Sequence, residues 1–136
     1  MKRNLLGIIF VFVLSIVLMS CASSSSSAVG NMIQTLEDAG YVMEEMDSDS
    51  CAYYQTNTLS ATYGVTGEVK ALYHGYINSS ERWVEVVELK TADQANAYAQ
   101  AIYAEGATGK LVVVEDSTIL ITFSTDTINL FPVTKG

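Results

Sequence analysis

The stretch Glu68–Ile77, EVKALYHGYI, decides the fold. Val69, Ala71, Tyr73, Gly75 and Ile77 alternate with Glu68, Lys70, Leu72, His74 and Tyr76. Successive side chains of a strand point to opposite faces. A period of two therefore predicts a strand with the first set against a core and the second largely in solvent. Residues 78–81, NSSE, read as a turn, and residues 82–90, RWVEVVELK, as the returning strand of a hairpin. Glu85 and Glu88 fall at opposite parity in that return, which predicts a bulge or a frayed end.

Beyond the hairpin, Thr91-Ala92-Asp93-Gln94 fits a capping box, with Gln94 at the third helical position. Ala95, Tyr98, Ala99 and Ile102 then form the apolar stripe of a helix that GATG ends. That stripe reads as core, not as a cofactor box. LVVVE (residues 111–115) and TILITF (residues 118–123) are two strands around Asp116-Ser117, a turn without the glycine that tight hairpins favour. Ser124 or Asp126 caps a last helical turn in TDTINLF.

Upstream, Met32, Ile33, Leu36 and Ala39 recur at helical spacing in NMIQTLEDAGY, with Gly40 as the C-terminal stop. Residues 41–46, YVMEEM, predict a short strand, and DSDS a turn. CAYYQTNTLSATYGVTG, residues 51–67, reads as a short helix or loop over one sheet edge. The order is helix, strand, loop, hairpin, helix, hairpin, short helix. Tight turns make neighbouring strands antiparallel, and amphipathic helices must cover an apolar face. The expected fold is a small two-layer α+β domain over residues 31–136. It has a mostly antiparallel sheet of about five strands and two main helices on one face. A domain of about a hundred residues buries roughly two-thirds of its unfolded surface, enough for a core without disulfides.

The N-terminus carries a different signal. Met1-Lys2-Arg3-Asn4 is a basic head, and Leu5–Met19 is apolar except for Gly7 and Ser15. This has the layout of a secretory signal peptide, here residues 1–20, and is shorter than the roughly 18 apolar residues that mark a spanning helix. Leu18-Met19-Ser20-Cys21 resembles the lipobox of bacterial lipoprotein precursors, although Met19 is bulkier than that family's usual residue. The resemblance covers only the first twenty-one residues. It implies that Cys21 receives a diacylglycerol and becomes the new N-terminus. It also implies an extracytoplasmic protein, lipid-anchored to a bacterial membrane, either the cell membrane or an outer membrane. Each buried methylene contributes about 0.8 kcal/mol, so two acyl chains hold durably where one holds marginally. The serines that follow, within residues 21–30, read as a flexible tether.

The chain carries 7 basic and 15 acidic side chains. Removing Lys2 and Arg3 with the signal leaves 5 against 15, a net charge of −10. Such a surface repels phosphate backbones, so a nucleic-acid partner is not expected. Nor does it suit a polybasic grip on anionic lipid. Cys51 is the one cysteine left beside a lipidated Cys21. Asp47 and Asp49 beside it would raise its thiol pKa, and no chemistry is assigned to it.

Catalytic and metal patterns are sparse. The chain has one histidine, His74, expected as a plain surface residue beside Lys70, Leu72 and Tyr76. No G-x-S-x-G elbow selects a serine to act with it. Zinc needs three or four ligands at set spacing, which one histidine and one thiol do not supply. Asp47-Ser48-Asp49 begins like a calcium loop, but the sixth position is Ala52 and the twelfth Thr58. No phosphate- or dinucleotide-binding glycine pattern is present, and no cofactor or metal is expected. Glu81, Glu85 and Glu88 read as a solvated strand face.

These readings favour a non-catalytic interaction domain with a protein or envelope component as partner. Leu72, Tyr76 and Trp83 are the candidate contact patch, because aromatic side chains present area with little entropy loss. The alternatives are a hydrolase or other enzyme, and an inhibitor-like module using residues 51–58. A cleft joining buried carboxylates to His74 would favour the enzyme. A flat sheet face with clustered Tyr and Trp would favour binding.

Overall fold

The computed structural model describes residues 27–77, 79–106 and 108–132. The signal segment, Cys21 and most of the serine tether lie outside the described residues. Helix α1 spans Ala28–Asp38, with Ser27 as N-cap accepting from the Gly30 N–H at 3.1 Å. Residues 28–30, expected in the tether, thus belong to the helix, because Ser27 supplies the capping oxygen that its first turn needs. Met32 and Leu36 are buried, and Gly40 at φ 99° takes the left-handed conformation that turns the chain out of the helix.

Strand β1 (Val42–Glu45) follows, then helix α2 (Ser48–Tyr53). Here the expected DSDS turn is a helix start. The local Asp–backbone bonding that suits a turn also caps a helix, and Asp47 accepts from the Ser50 N–H at 2.8 Å. The chain continues without a break into a π-helical segment, Tyr54–Thr62, where the Tyr63 N–H reaches the Thr58 carbonyl five residues back. π-Helical turns are rare and concentrate at functional sites. The remaining elements are β2 (Val69–Ile77), β3 (Ser79–Leu89), α3 (Ala92–Ala104), β4 (Leu111–Glu115), β5 (Thr118–Thr122) and α4 (Thr125–Ile128).

The five strands form one sheet in the order β1-β2-β3-β5-β4, every neighbouring pair antiparallel. The α+β class and the five-stranded antiparallel sheet are as the sequence predicts. The layering is not: helices cover both faces. Val84, Val86 and Leu120 pack with Met32 and Leu36 of α1. Val87, Leu89, Ile119 and Ile121 pack on the opposite face with Ala95, Tyr98 and Ile102 of α3 and with Leu59 of the π-helical segment. The physical reason lies in the central strands. Every residue of TILIT is buried, as is nearly every one from Val84 to Leu89, and a strand apolar at both parities needs cover on both sides.

The irregularity expected in the return strand falls instead at the two ends of the hairpin: Tyr76 pairs with Trp83 but Ile77 with Ser79, so β3 starts inside the expected NSSE turn, and a second shift lies in β2. Val69 pairs with Leu89 but Ala71 pairs with Glu88, so Lys70 is an extra residue in the ladder. The bulge moves Val69 onto the face of Leu72, away from Ala71 and Tyr73, and both Val69 and Leu72 enter the α3-side core. Thr91 caps α3 by accepting from the Gln94 N–H at 3.2 Å. The Gln94 side chain, instead of closing the capping box, accepts from the Glu68 N–H at 3.1 Å and ties the helix start to β2. Asp116 takes φ 51° in the β4–β5 turn, a conformation that Asp tolerates. Ser124 caps α4. Among the described residues no helix is long and apolar enough to cross a membrane.

Candidate functional site

The α3-side face of the sheet is only partly covered, and what it leaves open forms the candidate site. On β2, Leu72, His74 and Tyr76 share this face, and the register sets them beside Val87, Glu85 and Trp83 of β3. Leu72, expected on the contact patch, is 2% exposed and belongs to the core, because α2 and the π-helical segment pack over its end of the strand. His74, expected as a plain surface residue, is half-buried and paired. Its Nε2 lies 2.9 Å from Oε2 of Glu85, directly across the ladder. Glu85, expected in solvent, is 9% exposed.

Glu85 is reached from above as well as from the side. The Tyr54 hydroxyl, at the start of the π-helical segment, donates to its Oε1 at 2.6 Å. That uses the only Tyr54 proton, so the buried Tyr98 hydroxyl of α3, which also bonds Tyr54, is the donor in that second bond. The result is a chain Tyr98–Tyr54–Glu85–His74 running from core to surface. Burial pushes both phenols far above their ordinary pKa, and the charge of Glu85 adds to it, so both remain proton donors. The hydrogen bond to Glu85 raises the His74 pKa above its ordinary 6.5. Burial opposes the rise, and the charges of Glu85 and Glu44 add to it.

His74 and Glu85 stand at the floor of an open cleft of about 560 Å³ between β2 and the α2–π-helical segment. Leu72 and Met46 supply apolar floor, Tyr53 and Tyr54 an aromatic wall, and Asp47 and Asp49 an acidic rim. The bond from Ser50 holds the Asp47 carboxyl below the usual carboxylate range. Cys51 packs beside the core from the same helix. Burial pushes its thiol pKa up first, with Asp47 and Glu45 adding to the rise. Among the described residues no group of three His, Cys, Asp or Glu side chains is placed to hold a metal ion.

Next to the cleft the same face carries an apolar row. Tyr76, 48% exposed, pairs with Val42 of β1 on one side and with half-buried Trp83 of β3 on the other. Trp83 in turn lies 5.9 Å from Phe123, ring centre to ring centre, just past β5. Val42 is 55% exposed and Phe123 54%, so the row runs from β1 across β2 and β3 to the end of β5. His74 joins row and cleft, its ring centre 6.5 Å from that of Trp83.

Two of the three candidate contact residues, Tyr76 and Trp83, are thus together on one open face with Val42 and Phe123, which the sequence reading did not select. Cys21 lies outside the described residues. The missed pair His74–Glu85 had a signal in the sequence. Counting back from a four-residue NSSE loop, Ile77 falls opposite Arg82 and His74 opposite Glu85. Tyr54 had no comparable signal, since its place depends on a helical path through residues 54–62. No family model, curated protein or solved structure matches the chain.

Proposed function

We propose that the chain is a lipid-anchored, extracytoplasmic binding domain, held at a bacterial membrane through Cys21, that docks a protein partner on the row Val42–Tyr76–Trp83–Phe123. The observation that carries the reading is the continuity of that row from β1 to the end of β5. Single exposed apolar residues are ordinary on any protein, whereas a contiguous patch marks an interaction site. Its makeup, a phenol, a phenyl ring and an indole beside a valine, is that of an interface core. The tether fits this role, since a protein held by slack chain meets partners at the same surface with raised effective concentration.

In-cell photo-crosslinking from positions 76, 83 and 123 tests the reading. A discrete protein adduct from these positions, lost when Cys21 is replaced by alanine, is the expected result. Adducts absent from all three positions would sink the docking row. Fatty-acid labelling that persists in Cys21→Ala would remove the anchor.

A second reading, a hydrolase, is favoured by one specific observation: the cleft joins the buried carboxylate of Glu85 to His74. A Glu–His pair supplies a general base. Among the described residues, however, no serine, threonine or cysteine side chain is hydrogen-bonded to His74, which places this reading second. Turnover of a panel of ester and amide substrates, lost in His74→Ala, would reverse the order.

A further inference from the structure

We propose that the cleft between β2 and the α2–π-helical segment is a binding site for an organic ammonium group on an alkyl stem. The site is distinct from the docking row and does not rest on it. Three carboxylates, those of Asp47, Asp49 and Glu85, line the cleft, and among the described residues no lysine or arginine does. A cavity of about 560 Å³ lies within the range of metabolite-sized pockets, roughly 300–1,000 Å³. Its walls divide the work that such a ligand requires. Half-buried Met46 offers apolar surface for the stem, and Tyr53, 69% exposed, is an aromatic side chain at the cleft whose ring quadrupole can attract a cation.

Glu85 gives the site its direction. Both its oxygens already accept one hydrogen bond, from Tyr54 and from His74, yet each carboxylate oxygen has a further lone pair. The fixed donors hold the carboxylate in place, so it offers a cation a prepared acceptor. A small inorganic cation is a poorer fit, because the described residues bring no three ligating groups together. An anion would meet the acidic rim.

His74 makes the site readable. It is the only histidine in the chain, so its imidazole resonances need no assignment. The charged groups facing it are Glu85 from β3 and Glu44 from β1, and Asp47, the N-cap of α2, and Asp49 within α2 line the same cleft. A cation in the cleft repels the imidazolium, and by linkage the effect is reciprocal. For unit charges about 6 Å apart under water-like screening, each weakens binding of the other about threefold. The His74 titration midpoint therefore falls by about half a pH unit when the site fills.

The experiment titrates His74 by NMR in the full chain held in detergent micelles, with and without 1,5-diaminopentane, at ionic strength matched with potassium chloride. The expected result is a fall of about half a pH unit with the diamine and none with 1,5-pentanediol, its uncharged counterpart. Asp49→Asn, which removes an exposed charge without touching the helix cap, should weaken the diamine about threefold. A midpoint unmoved by the diamine, or moved equally by the diol or by salt alone, overturns the site. So does an undiminished response in Asp49→Asn. A capped tripeptide Gly-Lys-Gly in parallel separates the sources: a stronger response than the diamine identifies a lysine side chain of a protein, a weaker one a free amine.

Discussion

Replacing Tyr54 by phenylalanine removes one oxygen atom and breaks the polar chain at its centre. The Tyr54 hydroxyl donates to Glu85 and accepts from Tyr98, so two hydrogen bonds are lost and two buried groups are left short of a partner. A bond to a charged acceptor contributes about 1.5–3 kcal/mol and a neutral one about 1 kcal/mol, for a combined loss of about 2.5–4 kcal/mol. Glu85 borders the cleft, so water reaching its Oε1 recovers part of this and sets the expected cost near 2–3 kcal/mol. In a domain of about a hundred residues that lowers Tm by roughly 10–20 °C. Urea unfolding followed by the fluorescence of Trp83, the single tryptophan, measures it. Tyr98→Phe removes only the neutral bond and should cost about 1 kcal/mol. The double variant should be scarcely worse than Tyr54→Phe alone, because Tyr98 has already lost its acceptor. A Tyr54→Phe cost below about 1 kcal/mol, or simple additivity in the double variant, would refute a chain ordered Tyr98 to Tyr54 to Glu85.

Leu72→Ala should destabilise by about 2–5 kcal/mol in chemical denaturation whereas Tyr76→Ala stays within about 0.5 kcal/mol, since one side chain is core and the other sits on the open row. Thr118 is fully buried and, among the described residues, its hydroxyl has no hydrogen-bond partner. Thr118→Val should therefore raise stability by about 1 kcal/mol, and a loss in thermal unfolding would show that the hydroxyl is satisfied. The folded-state pKa of His74 is raised, so its contribution to stability is complete below pH 6.5 and disappears as pH rises through the folded value. Urea midpoints of the native chain and His74→Gln should accordingly be furthest apart near pH 5.5 and converge by pH 9. Divergence with rising pH would give the opposite sign and exclude the Glu85 pairing as its cause.

The elements legible in the sequence are those whose signals are local. The alternation in β2, the α3 stripe from Ala95 to Ile102, the Thr91 and Ser124 caps and the Gly40 stop each state their structure within a few residues. What was not legible depends on partners. The bulge at Lys70 is a property of two strands together, and it alone decides that Val69 joins Leu72. The second helical layer was visible only indirectly, in TILIT being apolar at both parities. Residues 55–58, QTNT, are mostly weak helix formers, and their helical path is set by tertiary burial of Tyr54 and Leu59 on either side. The cleft follows from that path, which is why neither it nor the role of Tyr54 could be read in advance.

Glu85 remains the least economical residue in the fold, and that is informative. It lies in a central strand between Val84 and Val86, on the face packed by α3 and the π-helical segment, where its neighbours Val87 and Leu89 are buried apolar side chains. A carboxylate buried beside a half-buried partner seldom outperforms a well-packed hydrophobic residue of similar volume, because its desolvation penalty stands against the attraction. A valine at this position would fit the pattern of its strand, and Tyr54 and Tyr98 would then need no hydroxyls. Instead the chain spends three further polar side chains, from β2, the π-helical segment and α3, on holding one carboxylate at the floor of a cleft. Core stability does not explain that arrangement. Fixing a charge and its proton donors in a partly desolvated opening does, because a prepared acceptor there binds a cationic group or a proton without reorganising first.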